Sequence, residues 1–129
     1  MDIIEFLGQD DSINVNKDNG TSVSYFIFNE YEIHINKIAP YSVQEWHFHS
    51  KIEETILIIK GELTCRWMEE EKEKVRTLCK DEIIRVKNSV HTFANNTNEE
   101  TKFVVFRFVP DGIDKREIIK KDKTVVNKL

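Results

Sequence analysis

From Thr21 onward the apolar positions recur in short runs rather than in long or helical stripes. The runs are Ser22–Phe28, Glu32–Ile38, Thr55–Ile59, Glu62–Met68, Val75–Leu78, Glu82–Val86 and Phe103–Val109. They are rich in Val, Ile, Phe, Tyr and Thr and bounded by Asn, Asp, Gly or charge clusters, which is how strands separated by turns are written. Seven or more short strands at this spacing predict an all-β sandwich or barrel. No stretch before Pro110 holds a 3.6-residue apolar period. Residues 1–20 are polar after Ile3, Ile4, Phe6 and Leu7 and read as an N-terminal arm, mostly loop. Residues 110–129 read as a C-terminal tail: a short helix, a strand on the outside, or an arm reaching a neighbouring subunit. The prediction is one domain over 1–129 with its core in about 21–109.

Alternation within the runs assigns faces, because successive strand side chains point to opposite sides. In Glu62–Met68, Leu63, Cys65 and Trp67 share one face and are expected inward, lining an aromatic, fairly apolar cavity. If Lys102 faces solvent, Phe103, Val105 and Arg107 face the interior. His34 shares its face with Glu32 and Asn36, a solvent-facing pattern that sets it outside any site. Asparagine is expected to serve the turns, at Asn29, Asn88 and Asn95–Asn98, because it tolerates left-handed backbone angles and the chain has only four glycines. Glu69–Lys74 (EEEKEK) reads as a solvated hairpin tip.

Composition sets the class. The 129 residues suffice for one self-supporting core, and 33% charged with 40% hydrophobic residues is an ordinary globular balance. A net charge of −4 with no basic stripe argues against nucleic acid. Apolar runs of five or six residues are far short of a membrane span. Met1–Glu5 lacks the basic start and apolar region of a signal peptide, and Cys65 and Cys79 form no CxxC pair; a cytoplasmic protein with reduced thiols is expected.

The chemistry concentrates in Trp46–Gly61, WHFHSKIEETILIIKG. In an extended segment His47 and His49 present two imidazoles on one face, with Trp46 and Phe48 on the other. Imidazole is the commonest protein metal ligand, and Glu53 or Glu54 follows closely enough to add a carboxylate. His91 enters after the turn Lys87–Val90, just as a strand resumes. By itself, beside Phe93, it reads as a hydrogen-bonded core residue rather than a ligand. No GxSxG, GxxxxGK, HExxH or dinucleotide fingerprint competes.

Together these residues resemble the cupin superfamily, small β-barrels of jelly-roll type. The family's first motif, G-x5-H-x-H-x3,4-E-x6-G, falls on His47, His49, Glu54 and Gly61, with Tyr41 in place of the leading glycine. The second, G-x5-P-x-G-x2-H-x3-N, falls on Lys80, Val86, Asn88, His91 and Asn95. Its spacing is kept, but its glycines and proline are not. Asn88 is a stand-in for a turn glycine.

The resemblance covers about residues 21–109 and implies an all-β, cupin-type jelly-roll β-barrel (double-stranded β-helix). It also implies one divalent transition metal, iron, manganese, nickel, cobalt or zinc, held by His47, His49, Glu54 and His91. Three nitrogens and one carboxylate oxygen leave open positions on a six-coordinate ion, as catalysis requires. Glu54 is favoured over Glu53 by its distance to Gly61. Arg107, if inward, could grip a substrate anion. The implied function is a metal-dependent enzyme acting on a small organic molecule, an oxidoreductase of the dioxygenase type by the family's habits. The alternatives are an isomerase or lyase, a non-catalytic sensor or storage barrel, or a barrel with a structural metal. A homodimer is the expected assembly.

Overall fold

A computed structural model describes residues 3–127. The strands are β1 (Ile13–Asn16), β2 (Thr21–Ile27), β3 (Tyr31–Ile38), β4 (Ser42–Val43), β5 (Glu53–Lys60), β6 (Leu63–Glu69), β7 (Lys72–Leu78), β8 (Ile83–Arg85), β9 (His91–Asn95) and β10 (Thr101–Phe108). A single α-helix among the described residues, α1 (Arg116–Lys121), lies in the tail. All seven predicted runs are strands, with ends shifted by at most three residues. The strands form a six-stranded sheet, ordered β1-β2-β3-β10-β5-β8, and a four-stranded sheet, ordered β4-β9-β6-β7.

The sheets enclose one core. Ile38, Ile56, Ile58, Phe103 and Val105 enter it from the larger sheet, and Leu63, Cys65, Leu78 and Phe93 from the smaller. Phe93 and Phe103 meet across the gap with ring centroids 6.3 Å apart. This is the jelly-roll arrangement, with one difference from the expected barrel: neither sheet closes, and edges remain at β1 and β8 and at β4 and β7.

Two strands went unpredicted and a third, β9, was expected only at its start, where a strand resumes at His91; each has a physical reason. β1 pairs with β2 inside the arm read as loop, but its four residues alternate too briefly to stand out. β4 has only two residues. β9 is buried at every position, so it shows no alternation, and its His, Thr and Asn carry little hydrophobic signal.

The turns depart from expectation more sharply. Left-handed backbone falls on Tyr41 (φ 55°), Glu70 (51°), Glu71 (65°), Asp81 (71°) and Lys87 (49°), and on no asparagine among the described residues. Glu70 and Glu71 are the two central residues between β6 and β7, and two positive φ angles in a two-residue hairpin loop make the type I′ geometry that matches strand twist. In the second motif region Lys87, not Asn88, takes the left-handed turn. Gly61 (φ +80°) is needed for space as well: a Cβ there would lie 3.0 Å from the Glu100 carbonyl oxygen.

Asn95 is fully buried and is used as a connector. Its Nδ2 donates to the carbonyls of Ile38 (3.0 Å) and Glu99 (2.6 Å), and its Oδ1 accepts from Thr97 N (3.0 Å) and Oγ1 (2.7 Å). One side chain thereby ties the end of β3 to the β9–β10 turn. An alanine would strand these groups without water, and each buried unpaired group costs about 1–3 kcal/mol. Asn95→Ala is expected to lower unfolding free energy by about 3 kcal/mol in urea titration.

Candidate metal centre

The two halves of the site meet through backbone. His47 and His91 form an isolated antiparallel bridge, each N–H donating to the other's carbonyl at 2.9 Å. The stretch around His47 and His49 is otherwise extended loop rather than strand. The bridge places His47 beside the start of β9, with ring centroids 4.4 Å apart for His47–His91 and 5.1 Å for His47–His49. Glu54 projects inward from β5, buried, while Glu53 turns outward to Arg85 at 2.6 Å. Trp46 and Phe48 are exposed on the other side of the loop, as the alternation predicts.

One ligand atom each from His47, His49, Glu54 and His91 lies within 4.8 Å of the others. The rings are oriented by their second nitrogens. His47 Nδ1 donates to the Glu45 carbonyl (3.0 Å) and His91 Nδ1 to the Ser89 carbonyl (2.9 Å). Each bond fixes the tautomer and leaves Nε2 as a bare lone pair aimed at the cluster. His91 Nε2 and His49 Nε2 are buried without a hydrogen bond; His49 Nε2 stands 3.3 Å from Glu54 Oε2, off hydrogen-bond geometry. Burial holds His91 below the ordinary histidine pKa, with the neighbouring His47 pushing the same way against the Ser89 bond. Three imidazole nitrogens and one carboxylate oxygen converge. Unpaired buried polar atoms are rare because they are costly, and a divalent cation would satisfy these at once.

Arg107 does face inward, but its Nε donates to Glu54 Oε1 at 2.8 Å and its Nη2 donates to the same oxygen. In this structure its fork is turned to Glu54 and leaves Oε2 toward the histidines. The register brings the partners together, since Glu32, Arg107 and Glu54 sit side by side across β3, β10 and β5.

The cluster opens into a cavity of about 260 Å³ whose walls carry Lys17, Tyr25, His34, Asn36 and Gln44 beside Phe93 and Phe103. The expectation of an aromatic, apolar cavity built on Leu63, Cys65 and Trp67 is thus corrected. Leu63 and Cys65 do point inward, but Cys65 and Trp67 line a separate cleft with Ile83, Ile84 and Arg85 of β8, even though Trp67 stands opposite His91 in register. Burial pushes the Cys65 thiol up to about 11, so it stays protonated. Phe93 faces the cavity.

His34 overturns its reading. It is 3% exposed, it lines the cavity, and its Nε2 meets Glu32 Oε1 at 2.8 Å. The solvent-facing pattern was misleading because the inner face of β3 is polar where it borders the cavity, while Ile33 and Ile35 lie on the outer face. A polar residue set on a strand marks either water or a polar cavity, and alternation alone does not separate the two.

No family model matches the chain, and no curated protein matches it. Solved structures do. An oxalate oxidase aligns with TM-score 0.65 and 18% identity over 81% of this chain and 59% of that one. The capsular polysaccharide assembling protein CapF from Staphylococcus aureus aligns with TM-score 0.67 and 16% identity over 77% of this chain and 31% of that one. The Cupin_2 domain of an XRE family transcriptional regulator from Enterobacter cloacae aligns with TM-score 0.61 and 20% identity over 70% of this chain and 98% of that one. This chain thus spans little more than half of the oxalate oxidase and a third of CapF. With the two facing sheets and the histidine cluster, these likenesses define a cupin fold.

Burial lowers the His34 pKa, outweighing the Glu32 bond that raises it. The unfolded chain then binds more protons than the folded one below about pH 6.5, so stability falls as pH drops from there through the lower folded value. The metal-free protein is expected to lose melting temperature between pH 7 and 5. A folded His34→Gln variant should show a shallower slope by calorimetry.

Proposed function

We propose that this chain binds one divalent transition metal through His47, His49, Glu54 and His91 and acts on a small polar organic molecule in the adjoining cavity. The observation that carries this reading is the pair of buried, unbonded Nε2 atoms on His49 and His91, converging with His47 and a buried carboxylate. The donor set suits iron, manganese, nickel, cobalt or zinc, and its lack of thiolate argues against a closed structural zinc site. When bound, such an ion would supply Lewis acidity toward a substrate oxygen or a place for dioxygen.

The protein's own residues do the rest. The Glu45 and Ser89 carbonyls hold two imidazoles in the ligating tautomer, Arg107 holds the Glu54 carboxylate in place, and Phe93 and Phe103 close the cavity floor. Oxidoreductase chemistry of the dioxygenase type is the first reading, supported by the likeness to an oxalate oxidase; an isomerase or lyase using the same metal is its variant. A non-catalytic small-molecule sensor is the second reading, supported by the likeness to a domain of a transcriptional regulator. A cytoplasmic setting fits the reduced thiols expected of this chain. A homodimer is proposed because apolar side chains of both arms are left in the open, among them Ile4 (77% exposed), Phe6 (84%), Ile119 (75%) and Val126 (76%).

Elemental analysis and titration calorimetry are expected to give one metal per chain, with His91→Ala abolishing high-affinity binding while circular dichroism still reports β-structure. No uptake of any of the five ions would sink the metal reading; loss of the fold on removing the metal would favour a structural ion. A sensor would return a metabolite from cell extract unchanged, whereas an enzyme would convert it. Deleting residues 113–129 is expected to change the elution volume, and an unchanged volume would count against assembly through the tail.

A further inference from the structure

The wall of the cavity across from the histidine cluster carries two buried side chains that the metal reading does not use. His34 (3% exposed) and Asn36 (7%) both stand on the inner face of β3. They line the same cavity as His47, His49 and Glu54. Glu32 bonds His34 Nε2, yet no group among the described residues bonds His34 Nδ1 or the Asn36 amide. Neither appears among the sealed unpaired atoms, which are confined to His49 and His91. Their free polar atoms therefore open to the cavity, and its contents must satisfy them.

The geometry sets what those contents can be. Nε2–H donating to the Glu32 carboxylate leaves Nδ1 as an acceptor, the same tautomer logic that orients the metal histidines. Tyr25 packs edge-on to the imidazole, ring centroids 4.5 Å apart, and fixes its plane. Asn36 offers both a donor and an acceptor. His34 lies opposite Val105, which lies opposite Ile56, two residues along β5 from Glu54. Two strand spacings and two residues of rise put the His34 and Glu54 Cα atoms about 12 Å apart, with both side chains projecting from one face of the sheet into the cavity. Lys17 contributes a cation to the lining. A ligand reaching from the metal to β3 is then short and carries an oxyanion at the metal end and a hydrogen-bond donor for Nδ1 at the other.

We propose that β3 is the recognition wall of this site, with His34 and Asn36 selecting a small hydroxylated carboxylic acid over its non-hydroxylated counterpart. The proposal rests on the metal reading for the carboxylate end and on β3 alone for the hydroxyl end. Burial, which keeps the imidazole neutral near pH 7, preserves the acceptor.

The test uses glycolate and acetate, which differ by one hydroxyl, on the zinc-loaded protein and on the metal-free protein. With ¹⁵N-labelled protein, glycolate is expected to shift the His34 ring and Asn36 amide resonances in both forms, and acetate to leave them in place. Calorimetry on the zinc form should show glycolate binding about tenfold tighter than acetate, the discrimination one hydrogen bond to a buried partner gives. His34→Leu, or His34→Phe should Leu not fold, removes the acceptor and is expected to erase that preference without changing zinc affinity. Equal binding of both acids, no binding of either, or unmoved His34 and Asn36 resonances would overturn the proposal. Failure to bind zinc while glycolate still moves those resonances would sink the metal reading and leave the β3 wall standing.

Discussion

Two hydrogen bonds between the backbones of His47 and His91 hold the site together. They carry the β4–β9 pairing and the Gln44 bonds to Phe93 and Thr92 on to the site itself, joining a loop from the first half of the chain to a strand from the second. Everything near the bridge serves its geometry. β9 is buried along its whole length between β4 and β6 and cannot slide. Asn95 at its far end grips the carbonyl of Ile38 and so couples β9 to β3 of the opposite sheet. The Glu45 and Ser89 carbonyls then accept hydrogen bonds from Nδ1–H of His47 and His91, so ring orientation is set by backbone that the bridge itself has positioned. A histidine cluster assembled this way is preorganised, since the cost of ordering its rings has been met in folding.

The row Glu32–Arg107–Glu54 extends that order across the larger sheet. Arg107 stands in register between two carboxylates, one belonging to the histidine cluster and the other to the buried His34. Its bond to Glu54 Oε1 leaves Oε2 for the cluster, and its position lowers the His34 pKa further through repulsion. The two polar ends of the cavity therefore share one electrostatic network, and a change at either end would be felt at the other through a single guanidinium.

Much of this was legible in the chain. Short β-rich runs named the strands, and the spacing of His47, His49, Glu54, Gly61, His91 and Asn95 pointed to the fold and to the four clustered residues. Alternation put Arg107 inside and Trp46 and Phe48 outside. What it could not show was partnership. Arg107 turned inward to bond Glu54, and nothing in a single strand's pattern says which side chain stands opposite two strands away. His34 was missed for a related reason: polar alternation looks the same whether the face meets bulk water or a polar cavity. β9 was only half seen because full burial erases alternation.

The left-handed turn residues bear on how this protein could change over time. Five non-glycine residues, Tyr41, Glu70, Glu71, Asp81 and Lys87, hold a backbone conformation that glycine or asparagine would adopt with less strain, by about 1 kcal/mol each. None is among the four clustered residues. The fold thus keeps a reserve of unused stability in its turns, available without disturbing the site. A lineage carrying such a reserve can absorb destabilising substitutions along the cavity wall, where new specificity would have to be written, and restore the loss with single changes at distant loops.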